Sequence, residues 1–190
     1  MLLTSCDTLV DITQNAFESG ASNVRVQLAR NGTWLAAEVQ DNGRGMDAPT
    51  LQKARDTFWT DGVKHPGRKD GMGLPFVKQA AEQCGGVLEI ASEPDHGTTV
   101  RFTFDLSRVN APALGDVPAT LAGLMAWPGE HELTVRREEN GRAFEVRRTE
   151  LEDALGHLDT AGSLVLMREY FLSNEEEIGN EVQHGEADIS

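Results

Sequence analysis

Long apolar runs, cysteine, aromatic residues and lysine are all scarce in this chain of 190 residues, and each scarcity excludes something. No apolar stretch approaches the roughly 20 residues that span a bilayer, so the sequence predicts no transmembrane anchor. Met1 to Cys6 show neither the basic patch nor the apolar core of a secretory signal, and the expected compartment is the cytoplasm. The two cysteines, Cys6 and Cys84, fall on apolar stripes of predicted helices without CxxC spacing. That pattern belongs to reduced core thiols rather than to a disulfide or zinc framework. Aromatic residues make up 6% and hydrophobic residues 39%, which fits one domain of ordinary size plus an appendage. The four lysines, Lys53, Lys64, Lys69 and Lys78, all precede residue 79.

Basic charge is also short, at 17 Lys and Arg against 31 Asp and Glu, for a net charge of −14. The imbalance is uneven. Residues 1–104 carry a net −3 and residues 105–190 a net −11. Such a field repels phosphate backbones and anionic lipid, which argues against nucleic acid or a membrane as the main partner. It also serves solubility, and the two readings are not exclusive.

Apolar residues recur at helical spacing from Leu2 to Ser19, and Gly20 closes the segment. Asn23 to Arg30 and Thr33 to Gln40 alternate apolar and polar residues across Asn31-Gly32, a hairpin signal. Asp47 then caps a predicted helix with Pro49 in its first turn, running to about Phe58. A loop spans Thr60 to Gly73. Leu74, Val77, Ala80, Ala81 and Cys84 form one helical stripe that Gly85-Gly86 ends, and two strands, Val87 to Ser92 and Thr98 to Leu106, flank a turn at Glu93 to Gly97.

Composition shifts near Ser107, where small residues and proline mark a linker over 107–117. A second hairpin is predicted at Glu132 to Arg137 and Arg142 to Arg148, then a helix with Thr149 and Glu152 as its capping box. A last helix runs from Ala161 to about Ile178. The expected organisation is a first domain over 1–106, the linker, a small α+β appendage over 118–178, and a disordered acidic tail over 179–190.

Three short segments carry the chemistry. In DITQNAFESGAS, Asp11, Asn15 and Glu18 share a helical face at spacings of four and three. An acidic helical face is commonly just solvated, but an amide oxygen beside carboxylates also suits a hard cation that already holds phosphate oxygens. Asp41-Asn42-Gly43-Arg44-Gly45-Met46 follows a strand directly, and two glycines permit a sharp turn and close approach of a planar ligand; alone, it reads equally as an ordinary turn. Asp70-Gly71-Met72-Gly73-Leu74 opens a helix after a loop holding Lys64, His65, Arg68 and Lys69. Glycines at a helix start expose amides that attract phosphate oxygens, whereas the bland reading is a cationic surface loop.

In this order and spacing the segments over residues 7–104 resemble the ATP-binding domain shared by histidine kinases, gyrase B, Hsp90 and MutL, the Bergerat or GHKL fold. DITQNAFESGAS with DNGRGM is similar to the mismatch-repair branch, and DGMGLPFVKQAAEQCGGVLEIASEPDHGTTVRFTF to the end of a histidine kinase catalytic domain. The resemblance implies a two-layer α/β sandwich, a mixed sheet packed on helices, with ATP held under a flexible lid. It implies Asn15 as the Mg²⁺ ligand and Asp41 as the partner of the adenine amine, with Thr98 joined to Asp41 through a water. Gly43, Gly45 and Met46 fall at the base pocket, and Gly71, Met72, Gly73 and Leu74 at the phosphates. The lid lies at about Thr60 to Asp70, bringing Lys64, Arg68 and Lys69. A carboxylate at Asp41 favours adenine's donor amine over guanine's acceptor carbonyl.

Three departures shape the expected function. Hydrolytic members of this family carry a glutamate four residues before the asparagine, and here that catalytic position is Asp11, one methylene shorter. Gyrase and mismatch-repair proteins bring a lysine from a following domain, which residues 79–190 lack. Histidine kinases precede this domain with a phosphoacceptor histidine, and none of the 14 residues before Asn15 is histidine. The leading expectation is a stand-alone ATP-binding regulator with weak or partner-dependent hydrolysis, its acidic C-terminal region serving a protein partner or a homodimer. A kinase acting in trans and a nucleotide-independent interaction module are the alternatives.

Closed lid states would interact preferentially with a triphosphate, so amide exchange over Thr60 to Asp70 is expected to slow when ATP is added. Exchange at the same rate with and without ATP would contradict the lid.

Overall fold

Helix formation at the start of the chain is local in origin. Thr4 Oγ1 accepts from the Asp7 amide at 3.1 Å while the Asp7 carboxylate accepts from the Thr4 amide at 2.7 Å, a reciprocal cap that begins α1 (Ser5–Glu18). The computed structural model describes residues 4–55 and 73–179. After α1 come β1 (Asn23–Asn31), β2 (Trp34–Asp41), α2 (Ala48–Arg55), α3 (Gly73–Gln83), β3 (Leu88–Glu93) and β4 (Gly97–Asp105). The rest of the chain forms α4 (Val117–Met125), β5 (Glu132–Glu139), β6 (Arg142–Arg147), α5 (Arg148–Leu155) and α6 (Ala161–Gly179).

The strands make one six-stranded mixed sheet in the order β3-β4-β2-β1-β5-β6. Every pairing is antiparallel except β1 with β5. One row of side chains crosses all six strands in register: Ile90, Val100, Val39, Val26, Val135 and Val146. All six are buried in a single core shared with α1, α3, α4 and α6. The opposite face is charged. Glu38 pairs there with Arg101, and Arg25 with Glu145 at 2.7 Å. The architecture is therefore the two-layer α/β sandwich that the sequence implies, with helices on one face.

The sequence sets residues 118–178 apart as an appendage, and a free hairpin is marginal in water. The structure meets that need edge to edge. The β5–β6 hairpin, turning at Asn140 and Gly141 with φ of 49° and 87°, adds to the sheet through β5. The linker is also docked, because Ala113 and Leu114 carbonyls accept from the Ser5 and Cys6 amides at 2.8 and 3.0 Å.

One stretch that the sequence left unassigned takes shape, and one local expectation is corrected. The stretch after the linker holds α4, whose start is Asp116 capping the Ala119 amide at 3.0 Å with Pro118 in the first turn. The predicted box of Thr149 and Glu152 is displaced. β6 runs straight into α5, and Glu150 accepts from the Arg147 amide at 2.9 Å instead.

Arg137 is 1% exposed on the buried side of β5, in the same row as Leu28 and Phe144. It pairs with Glu139 at 2.7 Å and with Glu175 of α6 at 2.9 Å, and donates to the Glu138 carbonyl. Burial pushes the Glu175 carboxyl above its usual range even with Arg137 beside it. Removing one partner of a buried pair strands the other, so Arg137→Ala is expected to lower stability by about 3–5 kcal/mol in denaturant unfolding. A loss below about 1 kcal/mol, typical of surface pairs, would show that the pair is solvated.

Candidate functional site

Alternation along β2 puts Leu35, Ala37, Val39 and Asp41 on the helix side, so the last of these is a carboxylate turned toward α1. Asp41 is 8% exposed. Its Oδ1 accepts from the Gly43 amide at 2.8 Å and from Ser19 Oγ at 3.2 Å, and the Thr98 amide is a further donor. Burial raises its pKa above the ordinary carboxylate value, and these three donors offset only part of that shift.

Ser19, at the C-terminal cap of α1, also donates to the Ala16 carbonyl at 2.7 Å. Asp11, Asn15 and Ser19 are spaced by four, so they form one ridge of about 12 Å along α1 that ends against Asp41. Asn15 is exposed and Asp11 half-buried on that ridge. The helix thereby joins the sequence's first and second segments.

The turn after β2 is packed on the β3–β4 turn by close backbone approach. Gly45 has φ of +61°, and a Cβ there would meet the Glu93 carbonyl oxygen at 1.9 Å. Gly97 has φ of +84°, and a Cβ there would meet the Asp41 carbonyl oxygen at 1.9 Å. The Asp95 amide closes the contact on the Arg44 carbonyl at 2.8 Å. Ser92 Oγ accepts from the Met46 amide at 2.8 Å, donates to the Gly97 carbonyl at 2.9 Å, and lies 2.9 Å from Thr98 Oγ1. A side chain at Gly43 would collide with Ser19 Oγ, so this glycine allows α1 to approach the turn.

Among the predicted site residues, Asp41, Gly43, Gly45, Met46 and Thr98 thus converge, with Asn15 and Asp11 on the adjoining ridge. Gly73 and Leu74 open α3, which packs on α1 and β4. Lys64, Arg68, Lys69, Gly71, Met72 and the lid lie outside the described residues. Ser19, Ser92 and Gly97 were not among the predicted residues. Ser19 was legible as the next position on the Asp11–Asn15 spacing, whereas Ser92 looks like any polar residue of an alternating strand. A cavity of about 570 Å³ lies along β3, lined by Arg55, Lys78, Glu89, Ile90, Thr99 and Arg101 among others, and none of its lining residues belongs to the Asp41 group. Among the described residues no cluster of three His, Cys, Asp or Glu is placed to hold a metal, and no helix is long and apolar enough to cross a membrane.

Comparison with known proteins supplies a family. The model for the histidine kinase-, DNA gyrase B-, and HSP90-like ATPases matches residues 7–108. An NtrY-like sensor histidine kinase of Rickettsia prowazekii is 29% identical over 106 residues, covering 54% of this chain and 17% of the relative. The sensor histidine kinase DcuS of Escherichia coli is 33% identical over 109 residues, covering 54% of this chain and 19% of DcuS. The chain thus spans less than a fifth of the length of these relatives. Among solved structures, the N-terminal domain of a DNA repair protein covers 85% of this chain and 58% of its own, at 11% identity and a TM-score of 0.48.

The raised pKa of Asp41 has a consequence for stability. A carboxyl whose folded pKa exceeds its unfolded value favours the fold fully below that unfolded value, here 3.8, and loses this contribution as pH rises through the folded pKa. At neutral pH the ionised Asp41 is therefore a burden that Asp41→Asn relieves. The variant is expected to melt higher than wild type at neutral pH, with the gap closing as pH falls toward 3.8. A variant that melts lower at neutral pH would contradict this.

Proposed function

The chain belongs to the histidine kinase-, DNA gyrase B- and HSP90-like ATPase family, and on that premise we propose that it binds Mg-ATP as a regulatory protein with slow intrinsic hydrolysis. The observation that carries this is the buried Asp41 carboxylate, whose donors are Ser19, Gly43 and Thr98, at the end of the Asp11–Asn15–Ser19 ridge. A carboxylate is an acceptor for an exocyclic amine, and guanine offers a carbonyl there instead. In this reading adenine meets this carboxylate and the phosphates lie toward the start of α3.

Asn15 fits a magnesium site of the kind that takes few protein ligands. Mg²⁺ keeps waters and substrate phosphate oxygens around one or two protein oxygens, so an exposed amide such as that of Asn15 is adequate without a carboxylate cage. The ion would neutralise phosphate charge; Asn15 would orient it, and Asp11, one turn earlier, would orient the attacking water. The shorter Asp11 side chain retracts that contact by one methylene, which underlies the slow hydrolysis. The acidic C-terminal region is available to a protein partner.

A second reading, phosphoryl transfer to a separate protein, is favoured by the sensor histidine kinases among the relatives. Incubation with γ-labelled ATP and extract separates the two: label on another protein means transfer, and free phosphate alone means hydrolysis.

Calorimetry with ATP and GTP tests the base assignment. ATP is expected to bind more tightly, and Asp41→Ala to weaken ATP binding by about 1.5–3 kcal/mol, the value of a hydrogen bond to a charged group. Equal affinity for the two nucleotides would overturn it. Asp11→Glu is expected to raise turnover, and wild-type turnover at or above about 10 per second, the median for enzymes, would show that the short carboxylate is no handicap.

A further inference from the structure

The buried row of Ile90, Val100 and Val39 is followed on the same helix-facing side by a polar one. Ser92 pairs with Thr98, and one step past the Gln40–Thr99 pair sets Thr98 beside Asp41. Directly opposed residues of neighbouring strands keep their Cβ atoms about 4.5–5.5 Å apart. Ser92, Thr98 and Asp41 therefore form one contiguous polar line across β3, β4 and β2. Asp41 lies nearest α1, and Ser92 lies on the edge strand.

A serine hydroxyl has one proton to give and two lone pairs to receive with, and at Ser92 all three are assigned. The Gly97 carbonyl, 2.9 Å away, can only accept, so it takes the Ser92 proton. The Met46 amide, at 2.8 Å, can only donate, so it occupies one lone pair. The remaining neighbour is Thr98 Oγ1, at 2.9 Å. With the Ser92 proton already committed to Gly97, this bond forms only if Thr98 donates it. Donation thus runs from Thr98 to Ser92 to Gly97, which leaves Thr98 Oγ1 with lone pairs alone to offer a ligand. Thr98 is half-buried rather than enclosed. Its neighbour Asp41 receives the Thr98 amide, not the hydroxyl, and a carboxylate is itself an acceptor. Two acceptors side by side suit a ligand group that carries two hydrogens. An exocyclic amine is such a group, whereas a carbonyl in its place would set lone pairs against lone pairs, and leaving polar groups unmatched costs more than a hydrogen bond contributes.

We propose that Ser92 is a positioning residue for base specificity: it fixes the Thr98 hydroxyl as an acceptor beside Asp41, so that the pair selects an amine-bearing base. Ser92 touches no nucleotide itself and acts through Thr98. This role rests on Asp41 receiving the base, and it adds the residue that sets the polarity of the adjoining hydroxyl.

The test titrates the full chain by calorimetry with ATP and with inosine triphosphate, whose base carries a carbonyl in place of the amine. Wild type is expected to prefer ATP, and Ser92→Ala to shrink the ratio of the two affinities about fivefold, the scale of one net hydrogen bond. Loss of the Met46 and Gly97 anchors alone would weaken both nucleotides together and leave the ratio standing. Ser92→Thr keeps the hydroxyl and should keep the wild-type ratio. In a Thr98→Val background, Ser92→Ala should leave the ratio where Thr98→Val alone puts it. A ratio unmoved by Ser92→Ala, or moved as far in the Thr98→Val background, overturns the role of Ser92 while the adenine site stands; equal binding of both nucleotides by wild type overturns the two together. Neutron diffraction from crystals of the deuterated wild-type protein reads the hydroxyls without nucleotide. The Thr98 deuteron is expected on the line to Ser92 and the Ser92 deuteron on the line to Gly97, and a Ser92 deuteron directed at Thr98 overturns the proposal whatever the affinities.

Discussion

Among the described residues, helices cover only one face of the sheet, and that constraint decides where every strand residue must point. The parallel pairing of β1 with β5 carries it from the first half of the chain to the second. Its register sets Val24, Val26 and Leu28 beside Leu133, Val135 and Arg137. A slip of one residue would send Val135 to solvent and Arg136 into the core. The same parity accounts for two buried charges. Arg137 arrives under the helices because it follows Val135 by two, and Glu175 from α6 meets it there. Asp41 arrives because it follows Val39 by two, and Ser19 of α1 meets it. One of these charges is neutralised by a protein partner. The other has only uncharged donors around it.

That difference separates a structural site from the proposed functional one. Arg137 with Glu139 and Glu175 is a closed set. Asp41 is held by hydrogen bonds alone, its pKa stays above the ordinary carboxylate value, and it sits where Gly45 and Gly97 let backbone segments approach too closely for any side chain and Gly43 makes room for Ser19. Such an arrangement is costly without a ligand and is pre-organised for one. The family model covers residues 7–108, and within them the geometry singles out this carboxylate.

Much of this was legible before the structure. Strand alternation identified all six strands, and Asn31-Gly32 and Asn140-Gly141 located two of the three hairpins. The motif order implied the sandwich and singled out Asp41, Gly43, Gly45 and Thr98, which the fold gathers. What stayed hidden was long-range or masked by composition. Nothing local in Glu132 to Glu139 says that it will lie parallel to β1, because strand partnership depends on the whole helix layer. Helix α4 followed a stretch of small residues and proline, and its Asp116-Val117 start was read as linker. The α5 cap moved to Glu150 because β6 left no turn before the helix. Ser92 acts through contacts with Met46, Gly97 and Thr98 that only the folded sheet brings together.

The central claim, that Asp41 receives an adenine nucleotide, is tested most directly by the crystal structure of the protein with Mg²⁺ and a non-hydrolysable ATP analogue. The adenine amine is expected within hydrogen-bonding distance of the Asp41 carboxylate, with the phosphates running along the Asn15 ridge. A nucleotide bound elsewhere, or an Asp41 carboxylate still enclosed by Ser19, Gly43 and Thr98 with no base against it, would contradict that claim.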